Sequence, residues 1–116
     1  MSAPFVTGGG AEYTRWPRYM PLIESRYGKQ PDRMPFDFAE VLAAIAPRGV
    51  FIVAPTGDDN FDASGVRDCV AAAQPVFELL SAADRLQAVY PEAGHDFPDA
   101  PRAEAYEFLD RILNAD

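Results

Sequence analysis

The sequence predicts an α/β fold in which parallel strands alternate with helices, and three observations support this. Residues 49–54 form a short, continuous apolar run, and residues 86–90 are a second strand candidate. A proline follows each of them, and such chain breakers are typical of the ends of buried strands. A polar loop follows each run. Each loop leads into a stretch in which apolar residues recur at helical spacing. This alternation is typical of parallel strands joined by right-handed crossovers.

The N-terminal part of the chain predicts helices and loops. Residues 1–16 are expected to be irregular, and residues 17–27 to form a short helix that ends at Gly28. A second helix is expected to begin at Asp37, which is followed three positions later by a glutamate, the spacing of a capping box. Pro47 should end this helix, because proline lacks the N–H that helical hydrogen bonding needs.

The first predicted strand lies at residues 49–54. Its run is continuously apolar and rich in β-branched residues, which indicates a strand buried on both faces. After a polar loop at residues 58–64, the spacing predicts a helix with Asp62 or Ser64 as its N-cap. Pro75 falls inside that helix and predicts a kink there.

The second predicted strand lies at residues 86–90 and precedes a loop at residues 92–100. A last helix is expected to run to about residue 115, with Asp99 as its cap and Pro101 in its first turn. Because a proline in the first turn loses no hydrogen bond, this position favours a helix start. The order of elements in this half is therefore strand, helix, strand, helix.

Two strands are too few for a self-sufficient sheet. A parallel sheet needs cover on both faces and on both edges, and isolated two-stranded sheets are marginal in water. The chain is therefore expected to be part of a larger sheet or to pair with another copy of itself. The sequence divides into an irregular and helical segment, residues 1–33, and an α/β segment, residues 34–116.

Composition excludes several classes of function. The formal net charge is −8, so a nucleic-acid phosphate backbone would be repelled. The single cysteine, Cys69, excludes an internal disulfide framework and lies on an apolar helix stripe, where core packing is expected. No apolar run is long enough to span a membrane, and the first residues lack the pattern of a secretion signal. These features predict a cytoplasmic protein without nucleic-acid or membrane partners.

The candidate catalytic residues follow the two strands. In an open parallel sheet, ligands meet the loops at the carboxyl ends of the strands. The first loop carries Asp58, Asp59 and Asp62, and the second carries His95, the one histidine of the chain. If the strands are neighbours, an aspartate can orient the imidazole as a general base. The alternative at this point is a loop histidine that only hydrogen-bonds the backbone.

Several motifs occur in an order that goes beyond these patterns. The stretch Gly94-His95-Asp96-Phe97-Pro98, which enters the last helix, is the most specific of them. The others are Pro35-Phe36-Asp37-Phe38, Ala46-Pro47-Arg48, Ala54-Pro55-Thr56-Gly57-Asp58-Asp59-Asn60-Phe61, Ser64-Gly65-Val66 and Tyr90-Pro91. With these motifs, residues 34–114 resemble the C-terminal third of α/β-hydrolases, close to the dienelactone hydrolase and acetyl-xylan-esterase-like groups.

The resemblance implies a partial α/β-hydrolase fold and hydrolysis of a small-molecule carboxylic ester through a serine acyl-enzyme. Asp58 matches the family's acid, with Asp59 as the nearby alternative, and His95 matches its histidine. No cofactor and no metal are expected. The family's serine lies on a Gly-x-Ser-x-Gly turn before the acid, and the 116 residues contain no such motif. The nucleophile is therefore expected from a missing N-terminal half or from another chain.

Two other functions remain open at this point. The absent nucleophile motif also fits a catalytically incomplete module that oligomerises through its strand edges. A metal-dependent hydrolase is the weaker alternative, with ligands from His95, Asp96 and the aspartates of the first loop.

Overall fold

The computed structural model describes residues 21–30 and 33–114. The expected irregular segment 1–16 and the beginning of the first expected helix lie outside these residues. In chain order the elements are helix α1 (Leu22–Tyr27), helix α2 (Phe38–Ile45), strand β1 (Val50–Val53), helix α3 (Ala63–Leu79), a 3₁₀ turn (Ala83–Arg85), strand β2 (Leu86–Val89) and helix α4 (Asp99–Leu113). The chain is a mixed helix and strand structure, as the sequence predicts.

The two strands pair in parallel. Val50 lies opposite Leu86, and Val53 lies opposite Val89. Both strands are one or two residues shorter than the apolar runs that predicted them, but their positions and direction are confirmed. Within the described residues the sheet has two strands, so each strand has one edge without a backbone partner from those residues.

The prediction that the first strand is buried on both faces is wrong. All four residues of β1 are half-buried. Alternate residues of the strand point to opposite faces: Val50 and Ile52 pack on the main core, whereas the ring of Phe51 lies 5.4 Å from that of Phe108 on α4. Two helices cover one face and α4 packs on the other, which leaves the short strands partly open to solvent.

The main core lies between the sheet, α2 and α3. Its largest fully buried side chain is Phe77, which has no exposed surface. Its buried residues are Leu42, Cys69, Ala73, Phe77, Ala82 and Leu86. Cys69 therefore packs in the core, as predicted. Burial, with the nearby carboxylates of Asp37, Asp68 and Glu40, raises the pKa of its thiol to about 11, so the reactive thiolate is scarce at neutral pH.

Side chains fix the starts of the two helices that flank β1. Asp37 forms the predicted capping box with Glu40, whose carboxylate accepts a 2.8 Å hydrogen bond from the Asp37 N–H. Of the two cap candidates for α3, Asp62 fills the role and accepts a 2.8 Å bond from the N–H of Ser64. A capping side chain satisfies a backbone N–H that the helix leaves without a partner.

Three other helix predictions concern Asp99, Pro75 and Gly28. Asp99 is not the cap of α4: Pro98 is, and Asp99 is the first helical residue, paired with Arg102. The ring of Pro98 fixes its φ at −59°, close to the helical value, and the helix begins after it without a hydrogen bond from a capping side chain. Helix α3 continues past Pro75 to Leu79, and α1 ends at Gly28, whose φ of 61° suits glycine.

None of the helices in the described part of the chain is both long enough and apolar enough to cross a membrane.

Candidate active site

Backbone hydrogen bonds hold together the two loops that follow the strands. The N–H of Ala54 donates to the carbonyl of Val89 at 2.9 Å, continuing the sheet by one step. Thr56 N–H then donates to Pro91, also at 2.9 Å, and Gly57 N–H donates to Ala93 at 3.0 Å. The pairing thus extends beyond the strands and carries both loops to the same edge of the sheet.

Asp58 and His95 lie on these two loops and are in direct contact. Atom Nδ1 of His95 lies 2.9 Å from Oδ2 of Asp58. The other carboxylate oxygen, Oδ1, accepts hydrogen bonds from the N–H groups of Asn60 at 2.8 Å and Phe61 at 3.2 Å. The Asp58 side chain is 7% exposed, whereas that of His95 is 56% exposed. The expected meeting of an aspartate from the first loop with the histidine of the second is present in the structure.

The surroundings of Asp58 favour its ionised form. Burial alone would raise the pKa of this carboxyl. The hydrogen bonds from His95, Asn60 and Phe61 outweigh that effect, and the pKa lies below its ordinary value. Asp58 is therefore a carboxylate at neutral pH. In this form it can accept a hydrogen bond from the N–H group at Nδ1 of an imidazole.

The imidazole of His95 has its second nitrogen available. Because Nδ1 faces the carboxylate, a neutral ring holds its proton there and presents Nε2 as the acceptor. Among the residues that the structure describes, none hydrogen-bonds Nε2. On its flank the ring contacts Phe61, with ring centroids 5.8 Å apart. Such an imidazole can accept a proton from a hydroxyl or a water that approaches Nε2.

The contact between Phe61 and His95 is not predicted from the sequence, where Phe61 is only part of a motif. The signal that could have indicated it is the spacing of three residues between Asp58 and Phe61. A residue three positions after an aspartate in a tight turn can donate its N–H to that carboxylate, which brings its side chain to the same place. Phe61 thus donates its backbone N–H to the Asp58 carboxylate and contacts the His95 imidazole with its ring.

The remaining acidic candidates have other positions. Asp59 is exposed, and it is Asp58 that pairs with His95. Asp62 caps α3, and Asp96 accepts a 2.7 Å bond from the N–H of Phe97. Within the described ranges, no three His, Cys, Asp or Glu side chains are grouped so that they could hold a metal ion. The geometry therefore gives no support to the metal-dependent alternative.

The serines do not complete a triad among the described residues. Ser25 lies in α1, Ser64 in the first turn of α3, and Ser81 just after the end of that helix. Their hydrogen bonds do not include His95. Ser2 lies outside the described residues. An acid and a base are present at this edge of the sheet, and the part of the chain that the structure describes brings no serine to them.

A cavity of about 550 Å³ opens beside the pair. Asp58, His95 and Asp96 contribute its polar groups. Apolar side chains from β1, from both loops and from the start of α3 make up most of the rest: Val53, Pro55, Phe61, Ala63, Val66 and Phe97. Its volume falls within the usual range of small-molecule sites, which is roughly 300–1,000 Å³.

The lowered pKa of Asp58 predicts a pH dependence of folding. The pKa is lower in the folded chain than the ordinary 3.8, so ionised Asp58 stabilises the fold above that pH. This contribution is lost as the pH falls from about 4 through the folded value. We expect the urea midpoint to fall over this range, and to fall less steeply in Asp58→Asn.

Asp62→Asn is the matched comparison in this measurement. The hydrogen bonds from Ser64 lower the pKa of Asp62 as well. Each variant should therefore remove only part of the dependence of the urea midpoint on pH. The prediction would be contradicted if, below pH 4, the urea midpoint fell as steeply with pH in Asp58→Asn as in the unaltered chain.

Comparisons of the chain with models of protein families, with curated proteins and with solved structures found no match. The grounds for a function are therefore the geometry of Asp58 and His95 and the resemblance of the sequence motifs to those of α/β-hydrolases.

Proposed function

We propose that this chain is the acid- and histidine-bearing segment of a carboxylic-ester hydrolase of the α/β-hydrolase type. In this proposal Asp58 is the acid and His95 the base of a Ser-His-Asp triad, and the substrate is a small-molecule ester. The serine comes from a sequence outside these 116 residues, either an N-terminal half of the same enzyme or a second chain.

The observation that carries the proposal is the 2.9 Å contact between Nδ1 of His95 and Oδ2 of Asp58. The acid is buried and fixed by backbone N–H groups, while the base is half-exposed beside an apolar cavity. A histidine that only stabilised a loop would not need a buried, ionised partner with its own backbone anchors. In a triad the acid holds the imidazole in the tautomer that the reaction requires.

The chemistry follows from this geometry. Nε2 of His95 takes the proton of the serine hydroxyl as the serine oxygen attacks the ester carbonyl. Asp58 stabilises the resulting imidazolium through Nδ1. The imidazolium then gives its proton to the departing alkoxide, and an acyl-serine remains. Water then repeats the sequence: His95 takes its proton as the water oxygen attacks the acyl carbonyl. The bond between the acyl carbon and the serine oxygen breaks, the imidazolium returns the proton to that oxygen, and the carboxylic acid leaves.

Hydrolysis of an activated aryl ester by the chain tests the catalytic part of the proposal. An imidazole whose Nε2 is open can activate water even without the serine, so we expect slow hydrolysis that depends on His95. His95→Ala should lower the rate to the buffer background. Asp58→Asn should lower it by at least about tenfold, because the amide no longer fixes the tautomer.

Asp59→Asn is the control, since this exposed neighbour carries the same charge and does not contact His95. Its rate should match that of the unaltered chain. Equal hydrolysis by the unaltered chain and by His95→Ala would remove His95 from catalysis and contradict the proposal.

A second candidate, an oligomerising module without catalysis, is favoured by a different observation. Both strands expose one edge in the described part of the chain, and β1 is only half-buried. Open edges and apolar surface are covered when copies associate. Analytical ultracentrifugation tests this candidate: we expect a dimer or larger assembly, and a well-folded monomer at high concentration would contradict it.

A further inference from the structure

The cavity beside His95 combines apolar walls with negative charge. Its apolar lining comes from Val53 and Pro55 at the end of β1, from Val66 on α3, and from the rings of Phe61 and Phe97. Both rings are partly open to solvent, with Phe61 58% and Phe97 43% exposed. An apolar ligand placed here would remove these walls and its own surface from water, which favours binding.

The charges at the cavity are carboxylates. Asp58 lies in the wall and is ionised, and Asp96 lies at the rim next to His95. Asp59 and Asp62 belong to the same loop as Asp58 and are exposed. The chain as a whole carries a net charge of −8, which adds to the negative potential. A ligand with its own carboxylate or phosphate would be repelled on entering.

The two carboxylates at the cavity differ in their accessibility. The side chain of Asp58 is 7% exposed, and its two oxygens already accept three hydrogen bonds, from Asn60, Phe61 and His95. Asp96 is exposed and uses Oδ1 for the N–H of Phe97. Both charges oppose an anionic ligand, and neither opposes a cationic one.

We propose that this cavity holds the uncharged apolar acyl or aryl group of the ester and excludes esters that carry a negative charge next to the reacting carbonyl. This rests on the proposed function for the placement of the carbonyl near Nε2 of His95. The selection itself comes from the walls and their charge, and can be measured by binding alone.

The test compares three probes of similar size by nitrogen–proton correlation spectra of the full chain: benzylacetone, which is neutral, hydrocinnamate, which is anionic, and phenylpropylammonium, which is cationic. Benzylacetone should shift the amide signals of Phe61, Val66 and Phe97. Hydrocinnamate should bind at least about tenfold more weakly, because both carboxylates oppose it. Phenylpropylammonium should bind more tightly than hydrocinnamate, because its charge is opposite to that of the carboxylates. Binding of hydrocinnamate that is as tight as that of benzylacetone or of phenylpropylammonium would overturn the proposal.

Two variants show whether the named residues are responsible. Phe61→Ala should weaken benzylacetone binding several-fold. Tyr106→Ala should not change it, although Tyr106, on α4, is an aromatic residue of similar exposure (60%). Asp96→Asn should reduce the difference between benzylacetone and hydrocinnamate, since the amide oxygen can still accept the Phe97 N–H. Equal effects of Phe61→Ala and Tyr106→Ala would contradict the assignment of the cavity.

Binding and hydrolysis, both measured on the unaltered chain, separate this inference from the proposed function, and His95→Ala is used only in the hydrolysis assay. If benzylacetone binds in preference to hydrocinnamate but no ester hydrolysis depends on His95, the catalytic proposal fails and the binding site stands. If hydrolysis depends on His95 but hydrocinnamate binds as well as benzylacetone, the binding inference fails and the catalytic proposal stands.

Discussion

Phe77→Ala should lower the free energy of unfolding by about 3–5 kcal/mol, the usual cost of removing a fully buried aromatic ring. Phe77 has no exposed surface and lies in the cluster that joins α2, α3 and β2. Small domains have total stabilities of only about 5–15 kcal/mol, so this loss is a large share of the whole. Urea unfolding followed by circular dichroism measures it.

Leu79→Ala is the matched control for this prediction. Leu79 lies two residues further along the same helix but is 83% exposed. Alanine is a good helix former, so the change should stay within about 0.5 kcal/mol. If the two variants shift the urea midpoint equally, the cluster around Phe77 is not the main core.

Gly57→Ala should disrupt the candidate site without touching either of its functional side chains. A Cβ at position 57 would lie 2.9 Å from the carbonyl oxygen of Ala93, the atom that accepts the Gly57 N–H. Neither group can move without separating the two loops, so the pairing of Asp58 with His95 should weaken. Overpacking of this kind costs about 1–3 kcal/mol. Nitrogen chemical shifts of the His95 ring should show loss of the tautomer that is protonated at Nδ1.

Gly94→Ala makes the same chemical change directly next to His95. A Cβ there meets no atom within 4 Å, so stability and the ring signals should be preserved. This pair of variants distinguishes a specific close approach from a general need for flexible loops. If Gly94→Ala disturbs the His95 ring as much as Gly57→Ala does, the backbone contact between the loops is not what positions the pair.

The parts of the fold that the sequence predicts well have local causes. The capping box at Asp37 and the left-handed Gly28 are encoded within a few residues, and both are found where expected. The parallel strands follow from two apolar runs separated by a helix. The meeting of Asp58 and His95 then follows from topology, because the carboxyl ends of parallel neighbours share an edge.

The features that the sequence could not predict depend on contacts between distant segments. The apolar run of β1 indicates what the strand can bury, but its incomplete burial depends on how much neighbouring structure covers it. At the start of α4, Asp99 fits the cap pattern, yet the backbone direction set by Pro98 makes it the first helical residue. The approach of Gly57 to Ala93 joins residues 36 positions apart, and no local pattern marks it.

The two members of the acid–base pair differ in what each one needs in order to stay in place. If the ring of His95 turned away, the carboxylate of Asp58 would keep its two bonds to the main chain of its own loop. The ring has the carboxylate as its one hydrogen-bond anchor among the described residues, and more than half of its side chain is in solvent. Fewer contacts therefore hold the His95 ring than hold the carboxylate that it faces, so a change in the surroundings should move the ring before it moves Asp58.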